Sequence, residues 1–205
     1  MDKLHILCNN NLIITITINT INIMNLTPLE YINTLSKSGT VAPSSKFLIK
    51  KCLKNIDFKE AKVIVEFGMG EGCITGEILK KCAKDTLLLS FEINPKFYDY
   101  CQGKFKDYSN FKPYNESAFE FKKCLNELGI EKVDYFISSL PIALLDKQKA
   151  EALFQEAKTI LSTNGQLIQY QYSLNNRRLI NSVFPKVTMD FTFLNLPPAF
   201  IYHCS

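Results

Sequence analysis

The stretch Val65-Glu66-Phe67-Gly68-Met69-Gly70-Glu71-Gly72 decides the fold, because it joins an apolar run to a helical pattern. The run from Lys62 to Phe67 has the length and composition of a buried strand, and the helical pattern continues to Cys82. Glycine lets a chain turn tightly and approach a ligand closely. We therefore predict a strand, a ligand-binding turn and a helix in succession, with the turn formed by Gly68, Gly70 and Gly72.

The glycine spacing and two nearby acids indicate which ligand this turn binds. The spacing is G-x-G-x-G, and Cys73 stands where a dinucleotide-binding motif needs its third glycine. Glu71 would oppose a pyrophosphate at the helix N-terminus. Glu92 ends the next strand, where a carboxylate accepts hydrogen bonds from two ribose hydroxyls. A ribose without a phosphate predicts S-adenosylmethionine as the cofactor.

Further residues are expected around this cofactor. The carboxylate of Glu66 ends a buried strand and needs partners, either the ammonium group of the cofactor or loop amides, and a simple loop cap is the alternative. A polar side chain in Asn115-Glu116-Ser117 would reach the adenine amino group. Two serines before a helix would bind the cofactor's carboxylate, or serve only as N-caps. Besides the glycines, the predicted cofactor site thus contains Ser44, Ser45, Glu66, Glu92, Ile93, Glu116 and Ser117.

Strands alternate with helices over most of the remaining chain, which indicates a parallel, doubly wound sheet. A helix from about Asp146 to Leu161 ends before Asn164-Gly165, and no helix separates the last two strands, which predicts an antiparallel pair. We therefore predict an α/β fold with a Rossmann-like, mostly parallel, seven-stranded sheet. Its strands are Lys62–Phe67, Thr86–Phe91, 111–115, Val133–Ser138, Gln166–Tyr172, Val187–Phe193 and Ala199–His203.

The N-terminal region has a different pattern. Residues 1–23 are rich in Asn, Thr and Ile and predict a disordered or β-prone extension. Thr27-Pro28-Leu29-Glu30 is a capping box that opens a helix ended by Gly39, and a second helix follows Ser45. We therefore divide the chain into an extension over 1–23 and one domain over 24–205, with N-terminal helices in 24–58 and the sheet in 59–205.

Composition excludes several classes of protein. The 205 residues are 46% hydrophobic with a formal net charge of +4, which excludes wholesale disorder and permits an anionic partner without requiring one. No run of 18 apolar residues is present. Seven cysteines without a C-x-x-C pair, and only two histidines, argue against a disulfide framework and a metal site, and we expect a cytoplasmic protein.

The chain resembles the class I S-adenosylmethionine-dependent methyltransferases, and more narrowly the bacterial phospholipid N-methyltransferases and their relatives, the rRNA adenine dimethylases. The glycine loop is common to the superfamily, whereas V-A-P-S-S, S-x-L-P and L-P-P-A favour the phospholipid branch. The resemblance extends over roughly residues 39 to 202 and is carried by Gly39-Thr40-Val41-Ala42-Pro43-Ser44-Ser45, Glu66 to Gly72, Glu92, Ser138-Ser139-Leu140-Pro141 and Asn195-Leu196-Pro197-Pro198-Ala199.

The resemblance implies a methyl-transfer site lined by Ser138, Ser139, Leu140 and Pro141. The adenine dimethylases carry N-L-P-Y here, in which an amide accepts from the target amino group and a ring stacks on the base. This chain has Ser139 and Ile142 at the positions of that amide and ring, so it lacks the groups that recognise an unpaired base. The phospholipid relatives often have Gly where this chain has Ser139.

We therefore predict methylation of a phospholipid headgroup amine, similar to phosphatidylethanolamine, at the cytoplasmic face of the membrane. The alternatives are an RNA adenine N-methyltransferase and a cofactor-binding relative without catalysis. No histidine is placed as a base, so solvent or Ser139 would relay the amine proton. Tyr31, Tyr170 and Tyr172 would attract a methylated ammonium, or merely pack in the fold.

A lysine stripe is the predicted contact with an anionic membrane surface. Lys46, Lys50 and Lys54 lie four residues apart in the second N-terminal helix, which places them on one face. Near an anionic bilayer each lysine contributes ~1 kcal/mol. A solvated helix face and an RNA-binding surface are the alternatives, because the same charges attract an RNA backbone.

Overall fold

The computed structural model of the chain describes residues 4–8, 12–16, 44–195 and 197–205. The helix predicted from the capping box at Thr27, its end at Gly39, and Tyr31 lie outside the described residues. The chain divides into two compact units, residues 1–41 and 42–205. In the first unit, β1 (Leu4–Cys8) pairs antiparallel with β2 (Leu12–Ile16). These strands fall within the stretch for which the sequence left disorder and a β-prone extension open.

The second unit is built on a seven-stranded sheet of order β5-β4-β3-β6-β7-β9-β8. Strands β3 to β7 pair in parallel, β8 runs in the same direction, and β9 runs antiparallel between β7 and β8. The prediction of a mostly parallel sheet with an antiparallel C-terminal pair is confirmed. The strands are β3 (Val63–Phe67), β4 (Leu87–Phe91), β5 (Phe111–Tyr114), β6 (Val133–Ser138), β7 (Leu161–Gln171), β8 (Val187–Thr192) and β9 (Ala199–Cys204).

Helices cover both faces of this sheet, because successive strand side chains point to opposite sides. Ile64 packs into the same core as the first three helices, whereas its neighbour Val65 packs into the core of the last three. The helix near the end of the chain was missed by the sequence patterns. The helices are α1 (Lys46–Cys52), α2 (Cys73–Lys81), α3 (Pro95–Lys104), α4 (Phe121–Glu127), α5 (Lys147–Ile160) and α6 (Arg177–Val183). No described helix is long and apolar enough to cross a membrane.

The strand β7 begins earlier than the sequence predicted. It starts at Leu161, directly after α5, and Asn164-Gly165 lies inside it instead of forming a turn. The pairing with β6 shifts register there, because Val133 faces Leu161 whereas Tyr135 faces Gln166. A Cβ on Gly165 would lie 2.9 Å from the carbonyl oxygen of Asp134. This glycine therefore permits a close approach of two backbones within a bulge.

The strand order reverses at β3, which has β4 on one side and β6 on the other. Each of these three strands ends at the same edge of the sheet, since they run parallel. Ligands of doubly wound sheets bind at the carboxyl edge where the order reverses. The glycine turn after β3 lies at this position.

Candidate functional site

The glycine turn is held against the neighbouring strand by backbone hydrogen bonds. The amides of Gly68 and Met69 donate to the carbonyl oxygen of Phe91 at 2.9 and 3.2 Å, and the amide of Gly72 donates to Met69 at 2.9 Å. Gly72 is the N-cap residue of α2 and has a left-handed conformation with φ 74°. The turn therefore has a fixed shape that leads directly into the helix.

The three glycines serve two different purposes. A Cβ on Gly68 would lie 2.5 Å from Oγ of Ser139, and one on Gly72 would lie 2.6 Å from the ring of Phe105, so both allow close packing of the protein against itself. Gly70, with φ 51°, has no protein atom within 4 Å of the position of a Cβ. Gly70 therefore borders open space, which is the arrangement expected where a ligand approaches the backbone.

Glu92 connects the turn to the start of α3. Its Oε2 accepts a hydrogen bond from the amide of Gly70 at 2.9 Å, and its Oε1 accepts one from the amide of Asn94 at 2.9 Å. An ionised carboxylate has about four lone-pair sites, so each oxygen keeps capacity for a further donor. The backbone amides orient the carboxylate, and the remaining lone pairs suit the ribose hydroxyls that the sequence predicted.

Glu66 is buried behind the turn and has partners that the sequence did not predict. Its Oε2 accepts hydrogen bonds from the hydroxyls of Thr75 and Ser90, both at 2.7 Å. Burial raises the pKa of Glu66 to about 7, although these hydroxyls oppose the shift. Hydroxyls from α2 and β4 hold this oxygen, and a contact of Glu66 with the cofactor stays a prediction. Glu66 therefore fastens the helix to the sheet beneath the turn.

A cavity of about 290 Å³ opens beside the turn at the carboxyl edge of the sheet. Ile93 is 73% exposed on its rim, which leaves a large apolar side chain available to cover a ligand. The cavity brings together eight of the predicted site residues, namely Gly68, Gly70, Glu92, Ile93, Ser117, Ser139, Leu140 and Pro141. Its remaining lining residues are Phe91, Ala118, Phe119 and Leu145.

Some predicted site residues lie elsewhere. Glu116 is exposed and does not line this cavity, whereas Ser117 lines it and caps the short turn of 3-10 helix that begins at Ala118. Asn115 donates an Nδ2 hydrogen to the carbonyl oxygen of Glu92 at 2.8 Å, so it supports the residue that follows β4. The sequence analysis did not predict Phe119 as a lining residue, although an aromatic residue just after the polar segment 115–117 was a usable signal. Nothing in the sequence distinguishes Leu145 from a core leucine.

The serines before α1 are used by the fold. The Oγ of Ser45 accepts from the amide of Leu48 at 3.2 Å, so the N-cap alternative is correct for Ser45. Ser44 Oγ lies 3.5 Å from the hydroxyl of Tyr170. Ser44 and Gly72 line a second, larger cavity, described below, instead of the cavity beside Gly70. A contact of Ser44 with the cofactor's carboxylate stays a prediction.

The segment after β6 forms a wall of the cavity that adjoins the turn at Gly68. Ser138 is fully buried and does not line the cavity, which corrects its predicted place in the transfer site. Ser139 Oγ lies 2.6 Å from the carbonyl oxygen of Gly68 and 3.1 Å from that of Phe67, so its hydroxyl proton is directed to the backbone. Leu140 and Pro141 present apolar surface to the cavity. Ser139 thus fixes the wall to the turn.

Two tyrosines at the end of β7 lie near this wall. The rings of Tyr170 and Tyr172 are in edge-to-face contact at 6.0 Å. Burial raises the pKa of both phenols above their ordinary value, so both hydroxyls are protonated near neutral pH. They can accept or donate hydrogen bonds, but they do not supply a negative charge. Their attraction for a methylated ammonium stays a prediction.

The three lysines of the predicted stripe have different surroundings. Lys54 forms an ion pair with Asp190 at 2.6 Å, which ties this end of the helical segment to β8. Lys46 and Lys50 line the second cavity. Lys54 therefore has a structural role, which corrects its place in a uniform membrane-facing stripe. Within the described residues, no group of three or more His, Cys, Asp or Glu side chains is arranged to hold a metal ion.

The residues beside Gly70 fit the adenosine part of S-adenosylmethionine. Open space at Gly70 admits the ligand, Glu92 has free lone pairs for hydroxyl groups, and Ile93 and Phe119 offer apolar surface for a base. No phosphate-binding pattern of amides is required. When bound, this cofactor supplies an electrophilic methyl group, and the wall formed by Ser139, Leu140 and Pro141 lines the same cavity.

Comparison with known proteins places this site in context. Residues 44–154 match the family model described as ribosomal RNA adenine dimethylase. The chain is 30% identical over 167 residues to the ornithine lipid N-methyltransferase of Singulisphaera acidiphila, covering 81% of this chain and 87% of that protein. It is 36% identical over 76 residues to ribosomal RNA small subunit methyltransferase A of Persephonella marina, covering 37% of this chain and 28% of that protein.

The fold also matches solved structures. Fibrillarin from Aeropyrum pernix, solved with natively bound S-adenosyl-L-methionine, superposes with a TM-score of 0.57 at 16% identity, over 72% of this chain and 68% of that protein. At this identity the likeness concerns the fold alone.

Proposed function

Because the chain belongs to the ribosomal RNA adenine dimethylase family of S-adenosylmethionine-dependent methyltransferases, we propose that it methylates the amine of a lipid headgroup. The family gives the reaction type and the cofactor. The residues of the cavity wall bear on the acceptor, because the relatives of this chain include both lipid and RNA methyltransferases.

The observation that carries the proposal is the position after Pro141, where a base-recognising relative needs an aromatic ring. Ile142 occupies this position, is only 3% exposed and packs into the core below α5. It therefore offers no face on which a base can stack. The residue in the amide position, Ser139, directs its proton to the carbonyl oxygen of Gly68. The wall suits a small aliphatic amine better than a flipped adenine.

The similarity to a lipid N-methyltransferase supports the same acceptor. This relative is 30% identical over 81% of this chain and 87% of its own length, whereas a probable ribosomal RNA small subunit methyltransferase A of Methanococcus aeolicus is 27% identical over 80% of this chain and 59% of its own length. The named substrate of the first relative is an ornithine lipid, so an amino-acid headgroup and an ethanolamine headgroup are both covered by the proposal.

The cavity also suits the chemistry of an amine acceptor. A primary amine has a pKa of ~10 and must lose a proton before it attacks a methyl group. The apolar side chains of Phe119, Leu140 and Leu145 line the site, and desolvation by such surface lowers an amine's pKa. Transfer then depends mainly on alignment of donor and acceptor, which the rigid turn and wall provide. Solvent at the cavity mouth accepts the proton.

The test is to follow labelled methyl groups from S-adenosylmethionine into defined acceptors. We expect transfer to ornithine lipid or phosphatidylethanolamine dispersed in detergent, with the mono-methylated headgroup identified by mass spectrometry. An unmodified ribosomal RNA is offered in parallel. Label in the RNA and none in either lipid would overturn the proposal in favour of adenine methylation.

A matched pair of variants tests the cofactor site. Gly70→Arg fills the open space at the turn and should abolish transfer to every acceptor. Gly103→Arg makes the same change on α3, where a Cβ also meets no protein atom and which does not line the cavity, and it should leave transfer unchanged. RNA methylation by the wild-type protein that exceeds its lipid methylation, and that is lost in Gly70→Arg, would contradict a lipid acceptor.

A further inference from the structure

Exposed apolar side chains cluster where the β8–β9 connection meets the start of α1. Phe193 is 75% exposed and Leu194 is 55% exposed, and Phe47, in the first turn of α1, is 54% exposed. Isolated exposed apolar residues are ordinary, but a group of large ones marks a contact surface. We call these three residues the apolar tip.

The apolar tip is held in place by hydrogen bonds. Asn195 is buried, its Oδ1 accepts from the amide of Ser45 at 2.9 Å, and its Nδ2 donates to the carbonyl oxygen of Pro197 at 2.8 Å. The amide of Leu194 donates to Oγ1 of Thr192 at 3.2 Å. These bonds fasten the connection to Ser45, the residue just before α1, so the segment that carries Phe193 and Leu194 is joined to the start of the helix that carries Phe47.

A basic groove adjoins the tip between α1 and α2. It has a volume of about 700 Å³ and a floor that includes Ile49, Leu53 and Phe105. Its only acidic lining residue is Glu77, which is paired with Lys80 at 2.8 Å. Five lysines line it: Lys46, Lys50, Lys80, Lys81 and Lys104. In the described part of the chain neither Lys46 nor Lys50 has an ion-pair partner, so the groove carries a marked excess of positive charge.

We propose that the apolar tip and the basic groove together dock the protein on an anionic lipid bilayer. The tip enters the boundary between headgroups and acyl chains, and the groove receives the negatively charged headgroups around it. Partly buried apolar area and attraction of lysines to anionic lipids are the two contributions that hold peripheral proteins at a membrane. Both occur here on adjoining residues of α1.

The shape of the surface favours a bilayer over RNA. Binding of single-stranded RNA needs exposed aromatic faces inside the charged groove, on which bases stack. The aromatic residue of this groove, Phe105, is only 6% exposed and packs against Gly76. The exposed rings of Phe47 and Phe193 are not among the residues that line the groove, and neither is Tyr100, which is 53% exposed beside Lys104.

Docking at this surface would bring the protein to a lipid acceptor, so the purpose of the surface rests on the proposed function. Ser44, which lines the basic groove, lies 3.5 Å from Tyr170, and Tyr170 is close to Ser139 in the wall of the methyl-transfer cavity. Ser44 and Tyr170 therefore connect the basic groove to the wall of the methyl-transfer cavity, which brings a bilayer on the docking surface close to that cavity.

The docking surface is tested without any methyl transfer. The chain has no tryptophan, so Phe193→Trp introduces a single reporter. We expect its fluorescence to shift to shorter wavelength with vesicles of phosphatidylcholine and phosphatidylglycerol, and the protein to sediment with them. Phe193→Ser combined with Leu194→Ser, and Lys46→Glu combined with Lys50→Glu, should each lower the partition coefficient at least about tenfold.

Matched controls come from the other face of the sheet. Lys122→Glu combined with Lys123→Glu changes the same charge on α4, and Leu144→Ser removes a comparably exposed leucine. Both should bind vesicles like the wild type. Unchanged tryptophan fluorescence, or equal losses in the controls, would overturn the docking surface, as would RNA binding without vesicle binding. Full methylation of detergent-dispersed lipid with no vesicle binding removes only the docking surface, whereas vesicle binding with label only in RNA removes only the proposed function.

Discussion

Glu92 accepts a hydrogen bond from the amide of Gly70 at 2.9 Å, and this bond joins the end of β4 to the part of the glycine turn that borders open space. The same carboxylate holds the amide of Asn94 at the start of α3. One side chain therefore orients the turn and a helix start, and its free lone pairs face the cavity. The geometry links the shape of the turn to cofactor binding.

We predict that Glu92→Gln binds S-adenosylmethionine about tenfold to a hundredfold more weakly, because a hydrogen bond to a charged group is worth ~1.5–3 kcal/mol. The amide side chain keeps only one acceptor for the two backbone amides, so the free energy of unfolding should also fall, by about 1–3 kcal/mol. Calorimetric titration and denaturant unfolding measure the two effects. An unchanged dissociation constant would contradict a role of Glu92 at the ribose.

Gly70→Ala and Gly72→Ala should differ in how much stability they lose. The methyl group at Gly70 meets no protein atom, so we expect a folded protein, destabilised by ~1–2 kcal/mol from the left-handed backbone, with strongly weakened cofactor binding. The methyl group at Gly72 would lie 2.6 Å from Phe105 and 2.9 Å from Sγ of Cys101, so an additional ~1–3 kcal/mol of overpacking is expected. Melting temperatures and titrations of both variants distinguish these cases. Equal loss of stability would show that Gly70 also serves packing.

Ser139→Ala tests whether Ser139 relays a proton or positions the wall. Its hydroxyl is directed to the carbonyl oxygens of Gly68 and Phe67, so we expect a positioning residue. Loss of about 1 kcal/mol of hydrogen bonding should lower kcat roughly fivefold without moving the pH profile of the reaction. If the variant instead shifts the pH at which the rate is half-maximal, Ser139 takes part in proton transfer.

Local patterns predicted the strands and the turn well, because their signals are local. Glu92 and Gly70 were both assigned from their places at strand ends, and the structure brings them into contact. The partners of Glu66 were missed, because Thr75 and Ser90 reach it only after α2 and β4 pack together. The role of Lys54 was missed for the same reason, since Asp190 is distant in sequence.

The buried carboxyl of Glu66 should make stability fall as the pH rises. Burial raises the pKa of Glu66 to about 7 in the folded protein, from an ordinary value of 4.5. Between pH 4.5 and about 7 the folded state therefore binds more protons than the unfolded state, and the stability decreases as the pH rises through this range. In Glu66→Gln this decrease should be absent. The free energy of unfolding of both proteins, measured across the window without cofactor, tests the expectation, and parallel curves would contradict it.

The ion pair between Lys54 and Asp190 affects the pKa of His203, a buried histidine on β9. His203 Nε2 lies 3.2 Å from the same Asp190 oxygen that Lys54 contacts at 2.6 Å. Burial lowers the pKa of His203, Asp190 raises it, and Lys54 lowers it further. Because this pKa is below its ordinary value of 6.5, the contribution of His203 to stability is present above that pH and is lost as the pH falls.

Lys54→Met should therefore have two effects. Loss of a half-exposed ion pair should cost no more than about 1 kcal/mol near neutral pH. The pKa of His203 should rise, because one positive charge near it is removed, and the loss of stability on acidification should become shallower. Lys50→Met, which removes a lysine four residues earlier, within α1, without touching Asp190, is the matched control. Denaturant unfolding between neutral pH and pH 5 measures the slope, and equal slopes in the wild type and Lys54→Met would show that Lys54 does not act on His203.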